Sequence, residues 1–256
     1  VEWDRSEFAR KLAWSTQQVE ALKREPKTIP PGGYRTYLAP AALEEFMTLL
    51  GYSAFGLRAH KTKQTPLLQM VAGDASMAAG VSLSEATSQG VGPDFQSQGF
   101  RRPESVSLIE AGRYVGHLIS PRSAQEYGVA TNGASSSEMP ESLALGAGSL
   151  PTASVIEELE TGLYVGNLWY LNYSDAAACR TTGMTRFATF WVQDGEIAAP
   201  VNVMRFDDTA FSLLGDRLVG PTDTAEVVLD PMSYHARSTG SFRLPGALVE
   251  EMKFTL

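Results

Sequence analysis

The sequence is short of the residues from which most active sites are built. It has one cysteine and three histidines in 256 residues. A lone Cys179 excludes an internal disulfide and a four-cysteine zinc site, and it fits a reducing cytoplasm. His60, His117 and His235 stand in no metal-ligand spacing with one another. A zinc peptidase helix needs two imidazoles on one face and a Glu beside the first, so that the metal-bound water has a general base. No apolar run approaches the roughly eighteen residues of a membrane-spanning helix. No basic run is present and the net charge is −8, which excludes a cation-lined surface for nucleic acid. No serine sits in G-x-S-x-G, and no glycine-rich phosphate loop follows a strand pattern. The first residues, beginning at Val1, have no apolar signal-peptide core, and they are expected to continue from a longer protein of which this is the C-terminal piece.

What is present reads as an α+β, β-rich chain, with large and mostly antiparallel sheets, long hairpins and an N-terminal helix. Residues 182–208 form the clearest element, a long hairpin turning at Asp194-Gly195. That dipeptide suits a two-residue turn in which both central positions need positive φ. The turn sets Val192 opposite Ile197, and Pro200 removes a ladder donor, so an edge or a bulge is expected there. Residues 4–23 carry Phe8, Leu12, Val19 and Leu22 at helical spacing. Pro26 and the run Pro30-Pro31-Gly32-Gly33 end that helix. A strand over 34–38 and a helix from Pro40, stopped by Gly51 as a C-cap, are expected next. The organisation is therefore a helix and linker over 1–31 and a β-rich domain over 32–256.

Two phrases share the pattern E-x-G-x-Y-V-G-x-L, one over 110–118 and the other over 160–168. Either they are two strands entering one sheet through similar Gly turns, or they mark a duplication lining two sides of a groove. Between them, 131–151 is small and polar, which suggests a surface loop, flexible or ordered by a partner. Among reactive side chains, His60 lies in a basic context and is expected to be solvated. His117 has Asn167 as its counterpart in the second phrase, which points to a backbone bond rather than a metal. His235 and Cys179 are the remaining candidates for chemistry. A lone cysteine is more often a small buried hydrophobe than a nucleophile. Asp94 and the pair Asp207-Asp208 read as solvated turn carboxylates.

Three runs carry a family resemblance: PGGYRTYLAPAALEEFMTLL, PDFQSQGFRRPESVSLIEAGRYVGHLISPRSAQEYGVATNG and RTTGMTRFATFWVQDGEIAAPVNVMRF. Together they resemble the TldD/PmbA family, once labelled modulators of DNA gyrase, over nearly the whole chain as that family's C-terminal domain. The segment around Gly99, the Thr131-Asn132-Gly133 turn and the Asp194–Ile197 hairpin match its phrases in order. The family's peptidase branch carries an H-E-x-x-x-H helix and a later Cys ligand. The matching stretch here reads ALEEFMTLLGYS, and Cys179 precedes the hairpin instead of following it. The resemblance therefore implies a PmbA/TldE-like subunit, non-catalytic by itself, with no zinc in this chain and zinc only on a TldD-type partner. It implies a heterodimer with such a paralogue, or a homodimer, that binds unfolded peptide for proteolysis, in the cytoplasm, with neither nucleic acid nor membrane as partner. The residues expected to meet peptide are Asn132, Gly133, Phe190, Trp191 and Asn202. Two other readings stay open: a homodimeric peptide-binding scaffold without a peptidase partner, and a metal-independent enzyme using Cys179 or His235.

Overall fold

The computed structural model describes residues 3–231, 233 and 236–255. In chain order the elements are α1 Arg5–Leu22, β1 Gly32–Leu38, α2 Pro40–Gly51, α3 Leu57–Lys61, α4 Leu68–Ala72, β2 Leu83–Glu85, β3 Val106–Glu110 and β4 Arg113–Tyr114. They continue with α5 Pro121–Tyr127, β5 Ser142–Leu145, α6 Val155–Leu159, β6 Gly162–Asp175, β7 Arg180–Gln193, β8 Glu196–Pro200 and β9 Arg205–Thr209. The last four strands are β10 Leu218–Pro221, β11 Glu226–Leu229, β12 Ser241–Leu244 and β13 Ala247–Thr255. The α+β, β-rich architecture matches the sequence pattern.

The first sheet closes on itself. β1 pairs with β6 and with β13, β6 with β7, β7 with β9, and β9 with β13, so the ladder runs round a ring. Closure removes the open edges that a flat sheet would expose. β8 continues the ladder of β7, and β10 extends that of β13. The second sheet is open, in the order β11-β12-β5-β2-β3-β4. Each sheet contains one parallel pair, β1–β6 in the first and β5–β12 in the second, and the rest is antiparallel.

The β7–β8 turn forms as its residues dictate. Asp194 and Gly195 take φ of 52° and 76°, and Val192 lies opposite Ile197. A register shift falls between Trp191 and Val192, and among the described strands β8 pairs only with β7, so Pro200 sits on an outer strand. The longer β6–β7 hairpin carries three register shifts, with positive φ at Tyr170 and Phe187. Bulges of this kind turn side chains outward.

Four expectations change. α1 turns Lys11, Trp14, Gln18 and Ala21 toward the body, while Phe8, Leu12, Val19 and Leu22 are exposed. Packing follows the heptad-like spacing of the first set, which is only partly apolar. α2 runs through Gly51, and Tyr52 after it is still right-handed, so Gly51 is not a left-handed cap. The two E-x-G-x-Y-V-G phrases enter different sheets, the first ending β3 and opening β4, the second opening β6. Their turns differ as well: Ala111 and Gly112 both have positive φ in the first, but only Glu160 in the second. The 131–151 stretch contains β5, an inner strand buried between β2 and β12. A four-residue strand buried on both faces shows no alternation, which is why Ser142–Leu145 does not announce itself.

Candidate peptide-contact residues and the α2 helix

Asn132 and Gly133 form a structural corner at the margin of the second sheet. The Asn132 side chain accepts from the Ile119 amide at 2.8 Å and donates to the His117 carbonyl at 2.7 Å. Thr131 Oγ1 donates to the Ile119 carbonyl at 2.7 Å. Gly133 has φ of +72°, and a Cβ there would lie 2.4 Å from the Arg101 carbonyl oxygen. Glu138 ties the same corner to α3 and α5, accepting from the Arg58 amide and from the amide and hydroxyl of Ser120, each at 2.9 Å. Burial raises the Glu138 pKa, but the hydrogen bonds from Ser123, Arg58 and Ser120 outweigh it and hold the carboxyl below its ordinary value.

Phe190, Trp191 and Asn202 sit elsewhere, on and beside β7 and β8 of the closed sheet. Phe190 is fully enclosed in a small core with Tyr37, Leu159 and Leu248. Trp191 faces the other side, edge-on to Tyr34 at 5.9 Å, with the Lys27 ammonium 4.4 Å from its ring. Asn202 is exposed, bonded through its side chain to Thr28 at 2.7 Å and through its amide to the Lys27 carbonyl. The Lys27 amide in turn donates to the Pro200 carbonyl at 2.7 Å, and Arg24 Nη1 donates to the Ile197 and Ala198 carbonyls. The linker after α1 thus occupies much of the outer edge of β8. The five residues mark two places, not one groove.

The histidines also differ from expectation. His60 is partly buried, not solvated. Its Nε2 bonds the Ala54 carbonyl at 2.8 Å, and its ring lies 4.4 Å from Tyr114 and 4.5 Å from His117. Burial, chiefly, pushes its pKa down to about 4, so the ring is neutral. His117 pairs through Nδ1 with the Tyr114 hydroxyl at 2.9 Å, a side-chain bond where a backbone bond was expected. His235 lies outside the described residues. Cys179 is wholly buried, and burial pushes its thiol up to about 12, which suits a core hydrophobe. Asp94 is exposed and paired with Arg101 at 2.5 Å. Asp207 pairs with Arg180 at 3.0 Å. Asp208 departs from the solvated reading, being buried within β9 against Arg217 at 2.7 Å. Among the described residues no group of three or more His, Cys, Asp or Glu is placed to hold a metal ion.

α2 carries unusual groups that its residue order does not mark. Its Glu44 is buried and accepts from Thr48 Oγ1 at 2.9 Å, one helical turn on. Burial, above the opposing Thr48 bond, raises its pKa to about 7, with Glu45 and Asp230 adding to the rise. Burial also raises Glu45, which the charge of Arg186 opposes. Arg186 itself stacks on Trp169 at 3.7 Å and on Phe187 at 4.5 Å. Trp169, Arg186 and Phe187 thus stack outward on the bulged hairpin as an aromatic patch, and the same hairpin exposes Tyr170 (70%) as well as Phe187 (68%). Positive φ at two aromatic positions is the local signature, and nothing in the residue order predicts it.

The family model for the PmbA/TldA metallopeptidase C-terminal domain matches residues 31–256. No curated protein matches the chain. Among solved structures, TldE from Thermococcus kodakarensis is similar with a TM-score of 0.77 and 17% identity, covering 94% of this chain and 54% of that one. A Thermotoga maritima protein named for a proposed role in modulating DNA gyrase gives a TM-score of 0.70 at 18% identity, covering 90% and 51%. A protein of the same naming from Bacteroides thetaiotaomicron gives 0.69 at 18% identity, covering 96% and 51%. The chain spans about half the length of these relatives, and at such identities the likeness is one of fold.

Proposed function

This chain belongs to the PmbA/TldA metallopeptidase family as its C-terminal domain, and from that premise we propose that it serves as a PmbA/TldE-like, non-catalytic part of a TldD-type peptidase assembly. The observation that carries the proposal is the composition of α2. Where the resemblance sets the zinc helix, Leu43 is buried in the core and Glu44 is engaged by Thr48 in a bond internal to the helix. The metal, the activated water and the general base would then come from a TldD-like paralogue. This chain's contribution is to associate with that paralogue and to hold unfolded peptide without reading its sequence, in a cytoplasmic setting.

Main-chain bonding at a sheet edge gives affinity without a side-chain pocket. The second sheet ends in β4 and β11, while the linker already occupies much of the β8 edge. Of the residues proposed for peptide contact, Trp191 and Asn202 are reachable, and Asn132, Gly133 and Phe190 act from beneath by fixing backbone. The exposed rings of Trp169, Tyr170 and Phe187 on one hairpin support association, since exposed apolar surface of this kind is a feature of interfaces.

Size-exclusion chromatography with light scattering, on this chain mixed with an H-E-x-x-x-H paralogue from the same genome, tests the proposal. The expected result is a mixed complex, with cleavage of a denatured casein substrate only in the mixture. A homodimer that ignores the paralogue yet retains peptide would favour the scaffold reading instead.

A further inference from the structure

A cavity of about 350 Å³ lies between α1, the start of α2, α6 and strands β1 and β6. That size falls within the range of small-molecule pockets, roughly 300–1,000 Å³. Its walls are rings. Trp14 meets Tyr164 edge-on at 5.9 Å and Tyr37 meets Tyr164 at 5.4 Å, with Pro40 and Ile156 completing the apolar surface.

The charged groups around it are spoken for. At the mouth, Arg10 pairs with Glu7 at 2.6 Å and Lys11 with Glu226 at 2.7 Å, so no lone charge faces the cavity. The Tyr164 hydroxyl accepts from Gln18 at 3.3 Å. Tyr37 is different. It is only 4% exposed and lines the cavity, and its hydroxyl, which no described residue engages, is not sealed from water. Burial raises its pKa, so the group stays an O–H donor. A hydroxyl on an aromatic wall that the chain itself leaves unengaged and that solvent can reach is a place for an acceptor from outside the chain. Gly246 makes room for it, because a Cβ at that position would lie 2.0 Å from the Tyr37 oxygen.

We propose that this cavity binds a small uncharged aromatic molecule bearing one hydrogen-bond acceptor, its ring among Trp14, Tyr37 and Tyr164 and its acceptor on the Tyr37 hydroxyl. Ring contacts supply the affinity, with preferred edge-to-face or offset geometry. The donor supplies the discrimination. The site stands apart from Trp191, Asn202 and the aromatic patch, so it is independent of the peptidase-subunit proposal.

Ligand-observed NMR titration of the whole chain tests this, using acetophenone and its acceptor-free counterpart isopropylbenzene. Both are expected to bind. Tyr37→Phe should weaken acetophenone about five-fold, the worth of one neutral hydrogen bond, and leave isopropylbenzene unchanged. Ala13→Trp, at an exposed α1 position on the cavity wall, should abolish both while the far-ultraviolet circular dichroism stays the same. Absence of binding at millimolar ligand overturns the proposal. So does equal weakening of both ligands by Tyr37→Phe, or binding that survives Ala13→Trp.

Discussion

Asp208 and Arg217 form a two-pronged ion pair, Nη2 to Oδ1 at 2.7 Å and Nη1 to Oδ2 at 3.0 Å, with the carboxylate 2% exposed. The same carboxylate accepts the amides of Thr209 and Lys253, so it fastens β9 to β13 where the first sheet closes. Removing one member of a buried pair strands the other. Asp208→Ala should therefore lower stability by about 3 kcal/mol in urea denaturation. Asp94→Ala, which breaks the exposed pair with Arg101, should leave the midpoint unchanged. Equal effects would show that closure does not depend on this clasp.

Glu44 gives a pH prediction. Its folded pKa, raised to about 7, stands above the ordinary value of 4.5. Between those values the folded state binds more protons than the unfolded one. Its contribution is fully present below pH 4.5 and is lost as pH rises through 7. Glu44→Gln should flatten that decline, as followed by denaturation at a series of pH values. A wild-type curve with no fall across the window would contradict the assignment.

His60 acts in the opposite sense. With its pKa lowered to about 4 by burial, the ring is neutral in the folded state while the unfolded chain protonates near 6.5. Its contribution is present above pH 6.5 and is lost as pH falls through 4. The His60 C2–H resonance should not shift between pH 8 and pH 5.5. A midpoint near 6.5 would mean that the ring is solvated after all.

The patch on the β6–β7 hairpin predicts an association phenotype. Phe187→Asp changes an exposed side chain at a bulge, so the melting temperature should hardly move. Complex formation with the H-E-x-x-x-H paralogue should weaken at least ten-fold, by roughly the 2 kcal/mol of a central interface residue. Undiminished association by light scattering would move the interface elsewhere.

The sequence was most legible where backbone chemistry is local. Asp194-Gly195 dictates its turn, Pro200 its outer strand and Pro40 its helix start, because each acts through its own φ or its own missing donor. Long-range packing was less legible. Phe8, Leu12, Val19 and Leu22 look like a buried face, yet the body takes Trp14 and Ala21 instead. The fate of a helix face depends on the surface it meets. β5 hides in small residues, and the burial of His60, Asp208 and Tyr37 depends on partners from 45 to well over 100 residues away. The family resemblance, carried by word order across the chain, recovered what local chemistry could not.

The central claim is that this chain contributes no zinc site of its own to the assembly. Elemental mass spectrometry, on the purified chain alone and on its complex with the H-E-x-x-x-H paralogue, tests it most directly. The account predicts no bound zinc on the chain alone and one zinc per mixed complex. Stoichiometric zinc on the chain alone would contradict it.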